Sequence, residues 1–164
     1  MPVRPRRPAD LDACVAVLRR VHDHSGYPAC WPADPARWLS PAGQIAAWVA
    51  EHDGAIVGQV GLAEGDCDLV QAAGQPPGEL AEITRLFVDP AVRGAGLGGE
   101  LLAAASAGAV ARGRRPVLEV VDDAGPAIAL YERSGWRKIG TAIAAWTTPD
   151  GTHPGLIYYL SPER

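Results

Sequence analysis

The sequence has few cysteines, and they are not arranged to hold a metal or a disulfide framework. Its three cysteines, Cys14, Cys30 and Cys67, lie far apart, and no C-x-x-C pair is present. A zinc site or a disulfide-rich scaffold needs closely spaced cysteines or an even set of them. His22 and His24 would point to different sides of a helix. We therefore expect no metal site, and reduced thiols as in a cytoplasmic protein.

Positive charge and long apolar runs are also lacking. The chain carries 19 acidic and 15 basic residues, a net charge of −4 and a sequence pI near 5.5. Nucleic-acid-binding domains are usually basic, so a nucleic-acid partner is not expected. No stretch reaches the roughly 20 apolar residues that a membrane span needs, and no apolar segment follows the arginines near the N-terminus. We expect no membrane association and a cytoplasmic location.

Hydrophobic periodicity predicts one mixed α/β domain over residues 1–164. Residues 26–43, rich in proline and aromatic residues, predict a long irregular connection with room for a short helix. Residues 66–78 predict a polar loop that begins with some strand. The predicted order of elements is strand 3–6, helix 11–25, two strands flanking the turn at 52–54, strand 79–88, helix 96–113, strand 116–121, helix 126–135 and two final strands.

The stretch VRGAGLGG, residues 92–99, literally contains the dinucleotide fingerprint G-x-G-x-x-G at Gly94, Gly96 and Gly99. In a dinucleotide fold, the strand runs almost directly into the first glycine. Here the residues 89–93 intervene, Glu119 lies inside a strand, and too little chain follows for further βα units. A P-loop is excluded because the lysine and the Ser/Thr after the glycines are absent.

The glycine loop still has the features of an anion site. Glycines allow close approach of the backbone to a ligand, and the first amides of the following helix are unsatisfied and lie at its positive end. Arg93 adds a formal positive charge beside them. These features are typical of a phosphate site, although a tight turn that needs glycine only for steric reasons has the same sequence.

The combination of two segments carries a family resemblance. LFVDPAVRGAGLGGELL closely resembles motif A of the GNAT superfamily of acetyl-CoA-dependent N-acetyltransferases, whose core R/Q-x-x-G-x-G/A is matched by Arg93, Gly96 and Gly98. AIALYERSGWRKIG resembles the second half of the family signature, A-x-x-L-Y-x-x-x-G-F/W. The motifs cover residues 81–140. The resemblance implies a mixed, mostly antiparallel central sheet, flanked by helices and split by a bulge in its fourth strand.

The resemblance also implies acetyl-CoA as cofactor and a role for each matching position. The strand Leu86, Phe87 and Val88 would pair its backbone with the pantetheine arm, and the Phe87 N–H, or a neighbour beside the bulge, would polarise the thioester carbonyl. Tyr131 would protonate the leaving thiolate, unless it is a core aromatic with its hydroxyl at the surface. The amides that would bind the pyrophosphate are those of Arg93, Gly94, Ala95, Gly96, Leu97, Gly98 and Gly99.

One position departs from the family pattern. Many relatives have an asparagine seven residues before the tyrosine, where it contacts the pantetheine, and this chain has Ala124 there. That hydrogen bond is missing or supplied differently, which affects the detail of pantetheine binding.

Three sources of a general base remain open. Glu82 matches in position the glutamate base of the histone-acetylating branch of the family, Glu119 lies on the neighbouring strand, and some relatives rely on water. A strand period of two predicts that Glu82, Thr84, Leu86 and Val88 share one face. Alternatively, Glu82 is an ordinary strand carboxylate paired with Arg85 or Arg137.

The expected reaction is direct transfer of the acetyl group to a primary amine of a small molecule, peptide or protein. Tyr27, Trp31 and Trp38 would form an aromatic wall for that amine, unless the tryptophans simply cap the sheet. The alternative function is a CoA-binding or acyl-CoA-binding sensor domain without turnover. We expect a monomer or a homodimer.

Overall fold

The computed structural model describes residues 2–123 and 125–162. Ala124, at the position of the relatives' asparagine, lies outside the described residues. The helices are α1 (Leu11–Ser25), α2 (Pro35–Trp38), α3 (Cys67–Ala73), α4 (Leu97–Ala111) and α5 (Pro126–Arg133). The strands are β1 (Val3–Pro5), β2 (Gln44–His52), β3 (Ala55–Ala63), β4 (Leu80–Val88), β5 (Arg115–Val121), β6 (Arg137–Ile143) and β7 (Gly155–Leu160).

The seven strands form one sheet in the order β1-β2-β3-β4-β5-β7-β6. Only β4 and β5 run parallel, and they pair over three positions, from Leu80 with Arg115 to Glu82 with Val117. Further along, β5 remains paired with β7 up to Val121. The two central strands therefore part after Glu82 and leave a cleft in the middle of the sheet.

A bulge in β4 lies where the strands part. Gln59 on β3 pairs with Phe87, and Gly61 pairs with Thr84, so Val60 alone faces two residues of β4, Arg85 and Leu86. Arg85 has a φ of 49°, which is unusual for a residue other than glycine. The mixed, mostly antiparallel sheet with a bulge in its fourth strand, predicted from the sequence, is confirmed.

The bulge interrupts the regular alternation along β4, so the predicted shared face of Glu82, Thr84, Leu86 and Val88 is wrong. Leu86 and Val88 pack with the buried cluster on the α4 side, whereas Phe87 packs with the cluster on the α1 side. Thr84 lies on the same side as Phe87, since its partner Gly61 follows Gln59 by two residues. Because an extra residue reverses the alternation of a strand, Glu82 and Thr84 share a face with Phe87, and not with Leu86 and Val88.

Helices cover both faces of the sheet. One face packs against α4 and α5 through a cluster that includes Leu101, Ala105 and Tyr131. The opposite face has two separate clusters, one under α1 that includes Leu18 and one under α3 that includes Leu69. The face of β4 and β5 that carries Glu82 and Glu119 lies between these two clusters.

The segment 66–78 contains a helix where the sequence analysis predicted a loop that begins with some strand. The Asp66 carboxylate accepts a hydrogen bond from the Leu69 amide at 2.8 Å, which caps the N-terminus of α3. Gly74, with a φ of 67°, ends the helix. The prediction was wrong because α3 is stabilised by burying Leu69 against the sheet, a tertiary contact that so short a segment does not reveal.

The other predicted elements are present, with α2 inside the proline-rich connection. None of the helices in the described part of the chain is both long and apolar enough to span a membrane.

Candidate functional site

The glycine loop and the start of α4 present a row of free amides. Gly94 and Gly96 have φ values of 91° and 78°, and a side chain added at either would meet open space. The first amide of the helix with an acceptor is that of Glu100, which donates to the Gly96 carbonyl at 3.1 Å. Among the described residues, no backbone carbonyl accepts from the amides of residues 94–99. The loop can therefore receive an anion at the positive end of a long helix.

Two contacts hold the glycine loop in place. The Asp89 carboxylate accepts from the Ala91 amide at 3.0 Å and from Arg20 of α1 at 2.7 Å, which fixes the turn between β4 and the loop. On the other side, added Cβ atoms at Gly98 and Gly99 would lie 3.5 and 3.9 Å from the Leu130 side chain. The first turn of α4 thus packs directly on the helix that carries Tyr131.

Tyr131 lies in the core with its ring against Trp136 and Tyr159, at centroid distances of 6.1 and 5.9 Å. Burial, with a smaller effect of nearby Tyr27, raises the pKa of Tyr131 above its ordinary value. Tyr27 packs against Phe87 on the opposite face of the sheet. Its effect on the Tyr131 pKa indicates that the two phenols lie near each other across the cleft. Tyr131 is a phenol that stays protonated at neutral pH and is available as a donor.

Carboxylates gather on the opposite side of the cleft. Oxygen atoms of Asp66, Glu82 and Glu119 lie within 4.8 Å of one another. Burial, reinforced by Asp66 and Glu119, raises the pKa of Glu82 to about 8. The pKa of Glu119 is raised as well, by burial and then by Asp66 and Asp68. A cation placed among these groups would relieve their mutual repulsion.

Arg85 does not form the ion pair with Glu82 that the sequence left open. Its Nε donates to the Trp38 carbonyl at 2.9 Å, and its guanidinium lies 4.3 Å from the centre of the Trp38 ring. In the described residues, Glu82 has a salt bridge with neither Arg85 nor Arg137. The Arg85 guanidinium is therefore held by Trp38 and does not neutralise Glu82 through an ion pair.

Two of the three predicted wall residues come together. Tyr27 packs edge-on against Trp38 at 6.1 Å and against Phe87 at 6.5 Å. Tyr27 remains 38% exposed, so it forms an open side of the site. Trp31 instead contacts His22 at 5.4 Å and lies under Arg19 at 4.9 Å. The structure thus brings Trp31 to α1 and does not place its ring against the Tyr27–Trp38 pair.

The backbone of Phe87 faces β3 and not the cleft. A Cβ added at Gly58 would lie 2.8 Å from the Phe87 carbonyl oxygen, and the Asp89 amide donates to Val57 on the same strand at 2.7 Å. Amides two residues apart in a strand point the same way. The amide direction therefore favours a neighbour of Phe87, and not Phe87 itself, as the donor to a group in the cleft.

The sequence analysis missed several residues of the carboxylate side. A cavity of about 350 Å³ is lined by Asp68, Gln71, Ala72, Ala142 and Tyr158. Burial and then Glu119, Asp68, Asp66 and Glu82 raise the pKa of Tyr158. The only sequence signals were the cap residue Asp66 and the closing Gly74, which would have identified α3 and brought its acidic first turn to the sheet.

A family model described as "Acetyltransferase (GNAT) family" matches residues 14–136. The match begins inside α1 and ends just before β6. It therefore includes the glycine loop, the three carboxylates and Tyr131.

Several solved structures have a similar fold. A ribosomal-protein-alanine N-acetyltransferase from Brucella melitensis has a TM-score of 0.76 at 22% identity, covering 99% of this chain and 100% of that chain. Arabidopsis thaliana NAA60, solved in complex with acetyl-CoA, has a TM-score of 0.74 at 20% identity, covering 96% of each chain. A GCN5-related N-acetyltransferase from Kribbella flavida has a TM-score of 0.70 at 24% identity, covering 98% of this chain and 96% of that one.

Proposed function

We propose that this chain, which belongs to the acetyltransferase (GNAT) family, transfers the acetyl group of acetyl-CoA directly to a primary amine. The observation that carries the proposal is the cleft between β4 and β5. It has a loop of free amides at one end, and Tyr131 and Glu82 are on its two sides. This arrangement supplies an anion site, a proton donor and a proton acceptor around a single gap in the sheet.

The residues present fit acetyl-CoA at the cofactor end. The amides of Gly94 to Gly99 and the positive end of α4 suit a pyrophosphate. Arg93 is exposed beside them and adds a positive charge. The strand from Leu86 to Val88 has lost its neighbour on the β5 side, so its backbone can pair with the amides of a pantetheine arm.

Two side chains handle the protons of the transfer. The amine nitrogen attacks the thioester carbon, forming the C–N bond as the C–S bond breaks, and it must lose a proton to give the neutral amide product. An amine that arrives as an ammonium ion must also lose a proton before it can attack. Glu82 accepts this first proton, directly or through one water, and the nitrogen releases the second proton to solvent after the C–N bond has formed. Tyr131 donates its proton to the departing sulfur, and its raised pKa keeps that proton in place until charge develops there.

The acceptor amine is proposed to arrive as an ammonium ion. Asp66, Glu82 and Glu119 surround the entry on the carboxylate side, and the Tyr27–Trp38 pair offers ring faces and edges beside it. An ammonium close to Glu82 favours its ionised form, which lowers the carboxyl pKa from about 8. Substrate binding thus prepares the base that removes the substrate proton.

The proposal is tested by calorimetry with acetyl-CoA, followed by a thiol-release assay over a panel of primary amines. The panel should contain diamines, amino acids, peptides with free N-termini and a neutral amide as a negative control. We expect binding of acetyl-CoA, and thiol release that requires an amine. Binding without thiol release from any amine would instead support the sensor function, and failure to bind acetyl-CoA would overturn both.

A further inference from the structure

Gln59 of β3 is polar but fully buried, beside the bulge of β4. Both polar atoms of its amide are used. Its Nε2 donates to the Arg85 carbonyl at 2.7 Å, and its Oε1 accepts from Nη1 of Arg6 at 2.7 Å. Because a guanidinium only donates and a carbonyl only accepts, these partners fix the orientation of the amide.

Arg6 is itself held by several groups just beyond the end of β1. Nη1 also donates to the Leu39 carbonyl at 2.9 Å, and Nη2 donates to Ser40 Oγ at 2.6 Å and to Gln44 Oε1 at 3.1 Å. The guanidinium therefore has little freedom to turn. A chain of hydrogen bonds runs from this anchor through Gln59 to the one peptide group at which β4 departs from regular pairing.

The held carbonyl determines where the next amide points. In a trans peptide the C=O and the following N–H point in opposite directions. Since the Arg85 carbonyl accepts from the Gln59 side chain, the Leu86 N–H points away from that side chain, which leaves it free to face the cleft. The Arg85 side chain is held separately by the Trp38 carbonyl at 2.9 Å, so this peptide is fixed on both sides.

We propose that Gln59 is a positioning residue that aims the Leu86 N–H at the carbonyl oxygen of the bound thioester, with Arg6 holding Gln59 in place. The proposal rests on the acetyl-transfer function proposed above. Negative charge develops on that oxygen as the amine attacks, and a donor fixed in advance stabilises it without reorganisation. An amide free to turn would bind the cofactor equally well but would stabilise the developing charge less.

The test compares Gln59→Met and Gln59→Glu with wild type. Methionine keeps a similar volume without a donor, and glutamate keeps an acceptor for Arg6 but sets an oxygen against the Arg85 carbonyl. Removing an oxyanion donor costs about 10²–10³ in kcat, so a misdirected one should cost about tenfold or more. The acetyl-CoA dissociation constant should stay within about threefold, because the glycine-loop amides supply the affinity. Gln75→Met, the same replacement in the bend after α3 and outside this chain of hydrogen bonds, is the matched control and should keep kcat within about twofold.

A second readout does not depend on turnover. On addition of acetyl-CoA, the Leu86 amide resonance in a ¹⁵N–¹H spectrum should move downfield in wild type and not in Gln59→Met, while the amides of residues 94–99 should move in both. Arg6→Lys, which keeps one donor for Gln59, should show a partial loss of both kcat and the Leu86 shift, and it replaces the Gln59 variants if they do not fold. A wild-type kcat or a retained Leu86 shift in the altered protein overturns the proposal. Wild-type protein that binds acetyl-CoA without thiol release contradicts the proposed function alone, since the Leu86 shift still tests Gln59.

Discussion

The two ends of the cleft differ in the groups that line them: backbone amides at one end and side chains at the other. At the proposed cofactor end, consecutive backbone amides of one loop and one helix turn have no backbone acceptor among the described residues. At the proposed acceptor end, side chains from separate segments come together, with oxygen atoms of Asp66 before α3, Glu82 on β4 and Glu119 on β5 within 4.8 Å of one another. A site made from backbone is encoded in a short run of sequence, whereas a site made from side chains is assembled only by the fold. The first end should therefore tolerate little change in conformation, and the second little change in charge.

The largest effect is expected from replacing Gly96 with valine. Gly96 adopts a φ of 78° at the start of α4, and a β-branched residue would disfavour that conformation and shift the amides on either side. We expect acetyl-CoA affinity to fall by about 100-fold or more, since several amides act together. Gly151→Val is the control, because Gly151 has a φ of 84° and equally open surroundings in another loop. Calorimetry should show near-normal affinity for that control, and equal losses in both variants would contradict the assignment of the loop.

The next effect sharpens the role of the phenol between the two ends. Tyr131→Phe should reduce kcat by about 10²-fold, as for loss of a general acid, and leave acetyl-CoA affinity nearly unchanged. Tyr159→Phe is a matched control, since Tyr159 is 1% exposed in the same aromatic cluster and donates to Glu132 at 3.2 Å. Steady-state kinetics with calorimetry would separate turnover from affinity. An unaffected kcat in Tyr131→Phe would remove the acid role.

A smaller effect is expected from the base at the acceptor end. The pKa of Glu82 is about 8 in the folded protein, so the carboxyl is mostly protonated below that pH and kcat/KM should rise as pH increases toward it. Glu82→Gln should flatten this acidic limb and lower kcat/KM at pH 9 by about tenfold. Glu119→Gln is the control that keeps the limb. If the limb disappears in Glu119→Gln instead, Glu119 is the base, and if it persists in both variants, water takes that role.

The smallest effect concerns the stability of the protein and depends on the charge of Glu82. Between pH 4.5, the ordinary pKa of this carboxyl, and pH 8, folded Glu82 retains a proton that the unfolded chain has released. The free energy of unfolding therefore decreases with rising pH across this window. Glu82→Gln should be more stable than wild type at pH 9, by about 1–2 kcal/mol after allowance for partial exposure, and no more stable at pH 4. Thermal unfolding at the two pH values measures this, and a gain that is the same at both would show that ionisation of buried Glu82 is not its cause.

Sequence reasoning predicted the local structure of the glycine loop better than that of the carboxylate side, for physical reasons. Arg93, Gly96 and Gly98 lie within six residues, in one loop and the first turn of α4, so the local sequence specifies the conformation of that whole segment. The helix α3 was not predicted, because its stability depends on the buried Leu69, although Asp66 and Gly74 mark its ends. Because the segment was predicted as a loop, Asp66 and Asp68 were not named individually as site residues.

The alternation along β4 and the role of Gln59 had no local signal at all. A period of two holds only while pairing is regular, and the residue that breaks it, Arg85, is neither glycine nor asparagine. Gln59 lies within an ordinary apolar strand, and its partner Arg6 lies 53 positions away. Such contacts between distant segments are specified by packing and not by a motif.

The parting of β4 and β5 leaves the sheet unfinished at its centre. Exposed strand edges are normally a hazard, because another chain can pair with them, but here the free edge lies inside the molecule between α1 and α3. A slender chain with amide groups of its own could pair with this edge. Ligand binding would then complete the sheet, and the backbone amides of residues 86–88 should exchange their hydrogens more slowly once it is filled.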